Sequence, residues 1–290
     1  YNRRLLFFNR LIMDIWFGLS RKPSLPQGAA VTIGNFDGVH LGHRHILQRL
    51  RQEADSRGLP ALAIVFEPQP PEFFAKKAGK TQPYRLSPLR DKLNLLRATG
   101  CLDGVLVLRF NQKFADMGAQ AFINHLLRGY LNTRYLLVGD DFRFGAGRAG
   151  DFSLLQQQQD MVTESTPSVM VANERASSTA VRKALNEGRI DYAAGLLGHP
   201  YALSGHVKHG AKLGRTLGSP TANIHLPSHH YALNGVFVVE AEGSFGRRRG
   251  VASFGRNVTV SDSCSQKLEV HLFDFDGQLY GERIRVSFLH

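Results

Sequence analysis

Cysteine is nearly missing from this chain: Cys101 and Cys264 are the only two, and they form no C-x-x-C pair. A disulfide framework and a cysteine-ligated zinc site are thereby excluded, and a reducing cytoplasm is the expected compartment. Long hydrophobic runs are missing too, since no stretch reaches the ~18 uninterrupted apolar residues of a spanning helix. The N-terminus comes nearest, with Arg3 and Arg4 ahead of Leu5-Leu6-Phe7-Phe8 and Leu11-Ile12, but Asn9, Arg10 and Asp14 interrupt it. Residues 1–12 are therefore read as an extension, packed on the protein or disordered, and not as a secretion signal. No G-x-x-x-x-G-K-[ST] occurs, so any phosphate cradle is of another kind than the Walker loop. Acidic residues are the scarcer sign of charge. The 36 Lys and Arg against 24 Asp and Glu leave a net charge of +12 with His neutral. That favours polyanionic partners such as nucleotides, nucleic acid or acidic lipid, without choosing among them.

What is present describes an ordinary globular protein: 290 residues, 43% hydrophobic and 21% charged, enough for two folded units. From Ala29 onward short apolar runs alternate with amphipathic helical stretches, the pattern of a parallel sheet with crossover helices. Strands are expected at Ala30–Gly34, Ala61–Phe66, Val105–Leu108 and Tyr135–Val138. Ile46, Leu47, Leu50 and Ala54 mark one face of a helix beginning near Gly42, and Leu93, Leu95, Leu96 and Ala98 mark another after Pro88. This is a Rossmann-like α/β domain, and in such sheets ligands bind beyond the carboxyl ends of the strands. The loops to watch are Asn35–His43, Glu67–Phe74 and Gly139–Gly150. Past Pro200 the chain changes to glycine-punctuated short strands at Ala202–Val207, Val236–Glu242, Leu268–Phe273 and Arg283–Phe288, read as a small antiparallel β-barrel. The boundary is placed at Gly195–Pro200.

The first strand runs directly into Gly34-Asn35-Phe36-Asp37-Gly38-Val39-His40-Leu41-Gly42-His43, after which a helix starts. Two imidazoles at a strand end and a helix N-terminus can donate to phosphate oxygens, while Gly42 lets the backbone approach closely. Ser178 and Thr179 offer hydroxyls and Arg182 a planar donor fork, a set suited to triphosphate oxygens; a Ser-Ser-Thr before a helix also reads as an N-cap. Asp140, Asp141 and Phe142 lie at a strand end, where they form either a ligand contact or a turn with an apolar plug. Glu269 alternates with Leu268, Val270 and Leu272, which puts those three in a core and Glu269 on the opposite face.

The H-x-G-H loop resembles that of the nucleotidylyltransferase superfamily. Phe66-Glu67-Pro68-Gln69-Pro70, Arg85 to Arg90, Val138 to Gly145 and Ser177 to Arg182 follow in order, and narrow the resemblance to the bacterial bifunctional riboflavin kinase/FMN adenylyltransferases. That resemblance implies an adenylyltransferase domain at 13–199 in which His40, His43 and Arg182 are catalytic. Gly34, Asn35, Phe36, Asp37, Gly42, Ser178 and Thr179 would bind ATP, and Asp140, Asp141 and Phe142 the flavin. The segment Gly210-Ala211-Lys212-Leu213-Gly214-Arg215 followed by Pro220-Thr221-Ala222-Asn223 resembles the flavokinase motif. It implies a kinase domain at 200–290 whose ATP contacts are Gly210, Gly214, Arg215, Thr221 and Asn223. Thr221 and Asn223 would hold Mg2+, and Glu269 would be the base for the riboflavin 5'-hydroxyl.

The chain departs from the family where Ser219 stands for a usual Phe and Ser253 for a usual Asn. The family also continues into a C-terminal helix, so a kinase domain stopping at His290 is expected to be C-terminally truncated. The implied partners are riboflavin, FMN, FAD and ATP, with no nucleic acid and no membrane. One alternative is an adenylyltransferase for another phosphorylated cofactor precursor; a remoter one is a non-enzymatic nucleic-acid-binding protein suggested by the +12 charge.

Overall fold

The computed structural model describes residues 13–171, 174–208, 221–256 and 266–290, so the reading of residues 1–12 lies outside it. One compact unit comprises the described residues up to Gln82 with Leu93–Val169; the other comprises Pro83–Lys92 with the described residues from Met170 onward.

In the first unit, β1 (Asp14–Phe17), β2 (Ala29–Ile33), β3 (Ala61–Glu67), β4 (Gly104–Arg109), β5 (Thr133–Gly139) and β6 (Val162–Thr166) form one sheet. Its order is β1-β4-β3-β2-β5-β6 and every neighbouring pair is parallel. All five residues of β2 are buried, and β3 is buried throughout except at Glu67, which is why these strands read as continuous apolar runs. The chain builds outward from β2 through β3 to β4, then returns with β5 on the other side of β2. The carboxyl ends of β2 and β5 therefore flank the point where the strand order reverses, the place where such sheets hold ligands.

Helix α1 (Leu41–Arg57) follows β2, buries Leu47, Leu50 and Ala54, and ends on Gly58 in the left-handed conformation. Helix α2 (Pro70–Lys77) follows β3, and α3 (Leu89–Ala98) precedes β4. Of the face expected for α3, Leu93 and Leu96 are buried, while Ala98 is exposed at the helix end. A π-helix, Phe122–Tyr130, leads to β5 and buries Phe122, Ile123, Leu126, Leu127 and Tyr130. Neither β1 nor β6 was foreseen. Both are edge strands, and β6, Val-Thr-Glu-Ser-Thr, carries only one fully buried residue, so no apolar run marked it.

In the second unit, β7 (Met170–Val171) pairs with β8 (Glu174–Arg175). A closed barrel follows, made of β9 (Ala202–Lys208), β10 (Ala222–His225), β11 (Gly235–Gly243), β12 (Gly246–Arg256), β13 (Gln266–Leu272) and β14 (Arg283–Phe288). The ladder β10-β13-β12-β11-β14-β9 is antiparallel at every step and closes through β9 with β10. The four strands expected here are present as β9, β11, β13 and β14; β10 and β12 are additional. β12 opens on Arg247-Arg248-Arg249, a run that hides a strand from a hydrophobicity pattern. Gly250 on that strand is required by close approach, because a Cβ there would lie 2.1 Å from the His271 carbonyl oxygen.

The barrel core of Leu203, Val239, Ala252, Phe254, Val270, Val286 and Phe288 is continuous with Leu86 and with buried residues of the helices Ser178–Asn186 and Ile190–Leu197. The segment Pro83–Lys92 is fastened to this unit by polar contacts: Arg85 N–H donates to the His230 carbonyl at 2.6 Å, and Ser204 N–H donates to Asp91 Oδ2 at 2.8 Å. Arg283 Nη2 lies 3.9 Å from Asp91 Oδ1.

Burial raises the Asp91 pKa above the ordinary 3.8, against the opposing pull of the Ser204 N–H and of Arg283 and Arg285. A carboxyl raised on folding contributes stability that is complete below 3.8 and is lost as pH rises through the folded-state value. Asp91→Asn removes that dependence while keeping an acceptor for Ser204. The thermal midpoint of the variant minus that of the parent should grow more positive between pH ~3.5 and ~7. A difference that stays flat across that range would show that Asp91 titrates alike in the folded and unfolded chain.

Candidate functional site

The β2 to α1 connection is built to hold two imidazoles in one arrangement. Phe36 and Val39 both adopt positive φ, 46° and 43°, and Gly38 does so at 80°. For a β-branched residue such as Val39 that conformation is strained by about 1–3 kcal/mol, and burial is what enforces it. Phe36, Asp37, Gly38, Val39 and His40 are all buried, whereas Gly34 and Asn35 are half-buried. The turn delivers His40 as the N-cap of α1, where its Nδ1 accepts from the His43 N–H at 3.3 Å. The two rings stack with centroids 3.6 Å apart and planes 24° from parallel, and Phe36 lies 5.0 Å from the His43 ring. Gly42 sits between them in the first turn, where free backbone N–H groups and the positive end of the helix dipole favour an anion.

At the neighbouring strand ends, β3 passes through Glu67-Pro68 into α2, and β5 passes into Asp140-Asp141-Phe142. Asp140 and Asp141 are exposed, and Phe142 is half-buried with its ring stacked 5.6 Å from Phe144. Phe142 packs against the sheet core, as the reading of an apolar plug at a strand end requires. In the second unit the N-cap of helix Ser178–Asn186 is Ser177, whose hydroxyl accepts from Ala180 N–H at 3.1 Å. Ser178 and Thr179 therefore fall in the first turn of that helix. Arg182 Nε donates to the Tyr84 carbonyl at 2.6 Å.

On the barrel, Leu268, Val270 and Leu272 are buried and Glu269 is half-buried on the other face, as the alternation required. Its register neighbours are Asn223 on β10 and Ser253 on β12. Asn223 is in turn opposite Lys208 on β9. Directly opposed residues keep Cβ atoms about 4.5–5.5 Å apart, so Lys208, Asn223, Glu269 and Ser253 form one polar row across the outside of the barrel. Sequence reasoning identified Asn223 and Glu269 but not Lys208, whose place depends on pairing across strands that the sequence does not display. Thr221 is exposed just ahead of β10, while Gly210, Gly214 and Arg215 lie outside the described residues.

Residues 22–180 match the FAD synthetase family and residues 197–290 the riboflavin kinase family. A bifunctional riboflavin kinase/FMN adenylyltransferase of Escherichia coli K12 is 47% identical over 280 residues, covering 94% of this chain and 88% of its own length. The protein of the same description from Haemophilus influenzae Rd is 43% identical over 282 residues, with 96% and 90% covered. A crystal structure described as a macrolide-efflux protein from Streptococcus pneumoniae has a TM-score of 0.80 at 29% identity, and spans 96% of this chain and 90% of its own. Among the described residues, no helix is long and apolar enough to cross a membrane.

The cap geometry of α1 gives a direct test. His40→Ala removes the acceptor for His43 N–H and should lower stability by about 1 kcal/mol, a fall in thermal midpoint of about 2–4 °C. His40→Asn keeps a strong capping side chain and should recover most of that loss in a calorimetric scan. Equal midpoints for parent and alanine variant would show that the cap contributes nothing.

Proposed function

The chain belongs to the family of bifunctional riboflavin kinase/FMN adenylyltransferases, and from that membership we propose how its residues divide two successive reactions. It is a transferase that phosphorylates riboflavin to FMN with ATP and joins FMN to the adenylyl group of a second ATP to give FAD. We assign adenylylation to 13–199 and phosphorylation to 200–290. The observation that carries this division is that His40 caps a helix beside the parallel sheet with His43 stacked on it, while Asn223 and Glu269 stand side by side on the barrel.

In the kinase reaction the riboflavin 5'-hydroxyl attacks the γ-phosphorus of ATP, the bond to the β-bridging oxygen breaks and ADP leaves. Glu269 takes the hydroxyl proton. Thr221 and Asn223 supply neutral hard oxygens. They would be the protein oxygens of a Mg2+ that otherwise keeps waters and nucleotide phosphates. When bound, that ion neutralises charge on the transferring phosphates.

In the adenylyl transfer an FMN phosphate oxygen attacks the α-phosphorus of ATP and pyrophosphate leaves. His40 and His43 donate to the phosphate oxygens as charge builds, with the helix dipole in support. Ser178, Thr179 and Arg182 are proposed as further triphosphate contacts, and Asp140, Asp141 and Phe142 as contacts of the flavin. A cytoplasmic setting fits both ATP-dependent steps.

An adenylyltransferase for another precursor leaves the barrel and its Asn223–Glu269 pair without a role. A nucleic-acid-binding protein would need aromatic residues interleaved with the basic ones on a strand face, whereas Arg247, Arg248 and Arg249 are exposed in sequence with none between them.

His43→Ala should slow FMN adenylylation by about 10²- to 10³-fold and leave riboflavin phosphorylation at the parent rate. Glu269→Gln, which keeps shape and removes the base, should slow phosphorylation by about 10²- to 10⁴-fold and spare adenylylation of added FMN. Separating the flavins formed from each substrate reads both variants at once. Parallel loss of the two activities in either folded variant would refute the division of labour.

A further inference from the structure

Phe36 is among the largest fully buried side chains, 1% exposed, yet it belongs to neither of the two apolar clusters that form the cores of the described residues. The turn around it closes through backbone atoms, since Val39 N–H donates to the Phe36 carbonyl at 3.4 Å. The ring is therefore spent neither on closing the turn nor on filling a core. At 1% exposure it also offers no surface to a nucleotide, so any contact Phe36 makes with ATP is a backbone contact.

The neighbours of the ring indicate what it does. It rests on Gly34, where a Cβ would come within 3.1 Å of Phe36 Cε2. Gly34 is itself tied to the sheet, its N–H donating to the Ile64 carbonyl of β3 at 3.1 Å. From that seat the Phe36 ring meets His43, with centroids 5.0 Å apart and planes tilted by 52°, while His40 stacks on the same imidazole at 3.6 Å. A histidine ring turns in a broad, roughly two-fold well about its outer torsion, so a half-buried imidazole is aimed only as well as its neighbours hold it. A stacked partner leaves the imidazole able to slide and rotate in its own plane; a second ring tilted against it blocks that movement. Reactive groups need this support, because they must be held to within about 0.5 Å and 10–20° by side chains that are themselves locked.

We propose that Phe36 is a positioning residue of adenylyl transfer: seated on Gly34, its ring clamps the His43 imidazole in the orientation in which it donates to the phosphate oxygens. This rests on the role proposed for His43 in FMN adenylylation, which His43→Ala tests by itself.

Phe36→Leu keeps a buried apolar side chain and removes the ring. It should lower kcat for FMN adenylylation about 10- to 100-fold, the scale of a misplaced reacting group, and leave KM for ATP and for FMN within about twofold. Made in the His43→Ala protein, the same change should alter kcat by less than about twofold, because the group it positions is gone. Phe36→Tyr keeps the ring but buries a hydroxyl; it should lower the thermal midpoint at least as far as the leucine change and still hold kcat within about threefold of the parent. A kcat that follows the thermal midpoint through parent, leucine and tyrosine proteins would overturn the proposal, by reducing Phe36 to a stabilising side chain. It would be overturned equally by parent kinetics in Phe36→Leu, by a raised KM for ATP at the parent kcat, or by a full further loss in the His43→Ala background. Phe36→Met, which fills the space with a flexible chain in place of a rigid ring, carries the test if the leucine variant does not fold. Riboflavin phosphorylation in the same preparations should match the parent and serves as the internal reference.

Discussion

The histidine pair of the first unit depends on a backbone that the sequence alone would not choose. The turn after β2 takes Phe36, Gly38 and Val39 through positive φ, and the residues from Phe36 to His40 are buried as they pass. Burial of the Phe36 and Val39 side chains, each worth about 1.5–3 kcal/mol, is of the size needed to hold that strain. What the strain secures is His40 at the N-cap of α1, and through the cap, His43 stacked against it. Preorganisation of this kind matters because a donor aimed in advance at developing charge spends nothing on reorientation when the charge appears.

The barrel reaches a comparable result by register instead of strain. Closure of the ladder fixes which residues face outward, since a slip by one position would send Glu269 inward and Leu268 out. The apolar set Leu268, Val270 and Leu272 therefore determines which way the Glu269 carboxylate faces, and pairing with β10 sets Asn223 beside it. One unit positions its histidine pair by a tight turn at a helix start, the other its Glu269 by alternation along a strand.

This difference explains what could be read from the sequence. Continuous apolar runs marked β2 and β3, and strict alternation marked β13 together with the outward face of Glu269. The Gly-rich H-x-G-H segment between a strand and a helix announced the histidine pair. Strands at an edge or under an arginine run, β1, β6 and β12, lacked the two-sided burial that makes a run visible. Lys208 and Ser253 join the polar row only through pairing across strands distant in sequence. Local chemistry was legible; juxtaposition was not.

The proposed division of labour requires two chemical sites in one chain, with FMN passing from one to the other. The most direct measurement mixes the His43→Ala and Glu269→Gln variants and supplies riboflavin, ATP and Mg2+. Each variant alone should fail to make FAD from riboflavin, the first accumulating FMN and the second leaving riboflavin unchanged. The mixture should make FAD, because FMN released by one variant is adenylylated by the other. A mixture that accumulates FMN without FAD, or that leaves riboflavin untouched although both variants are folded, would contradict the account.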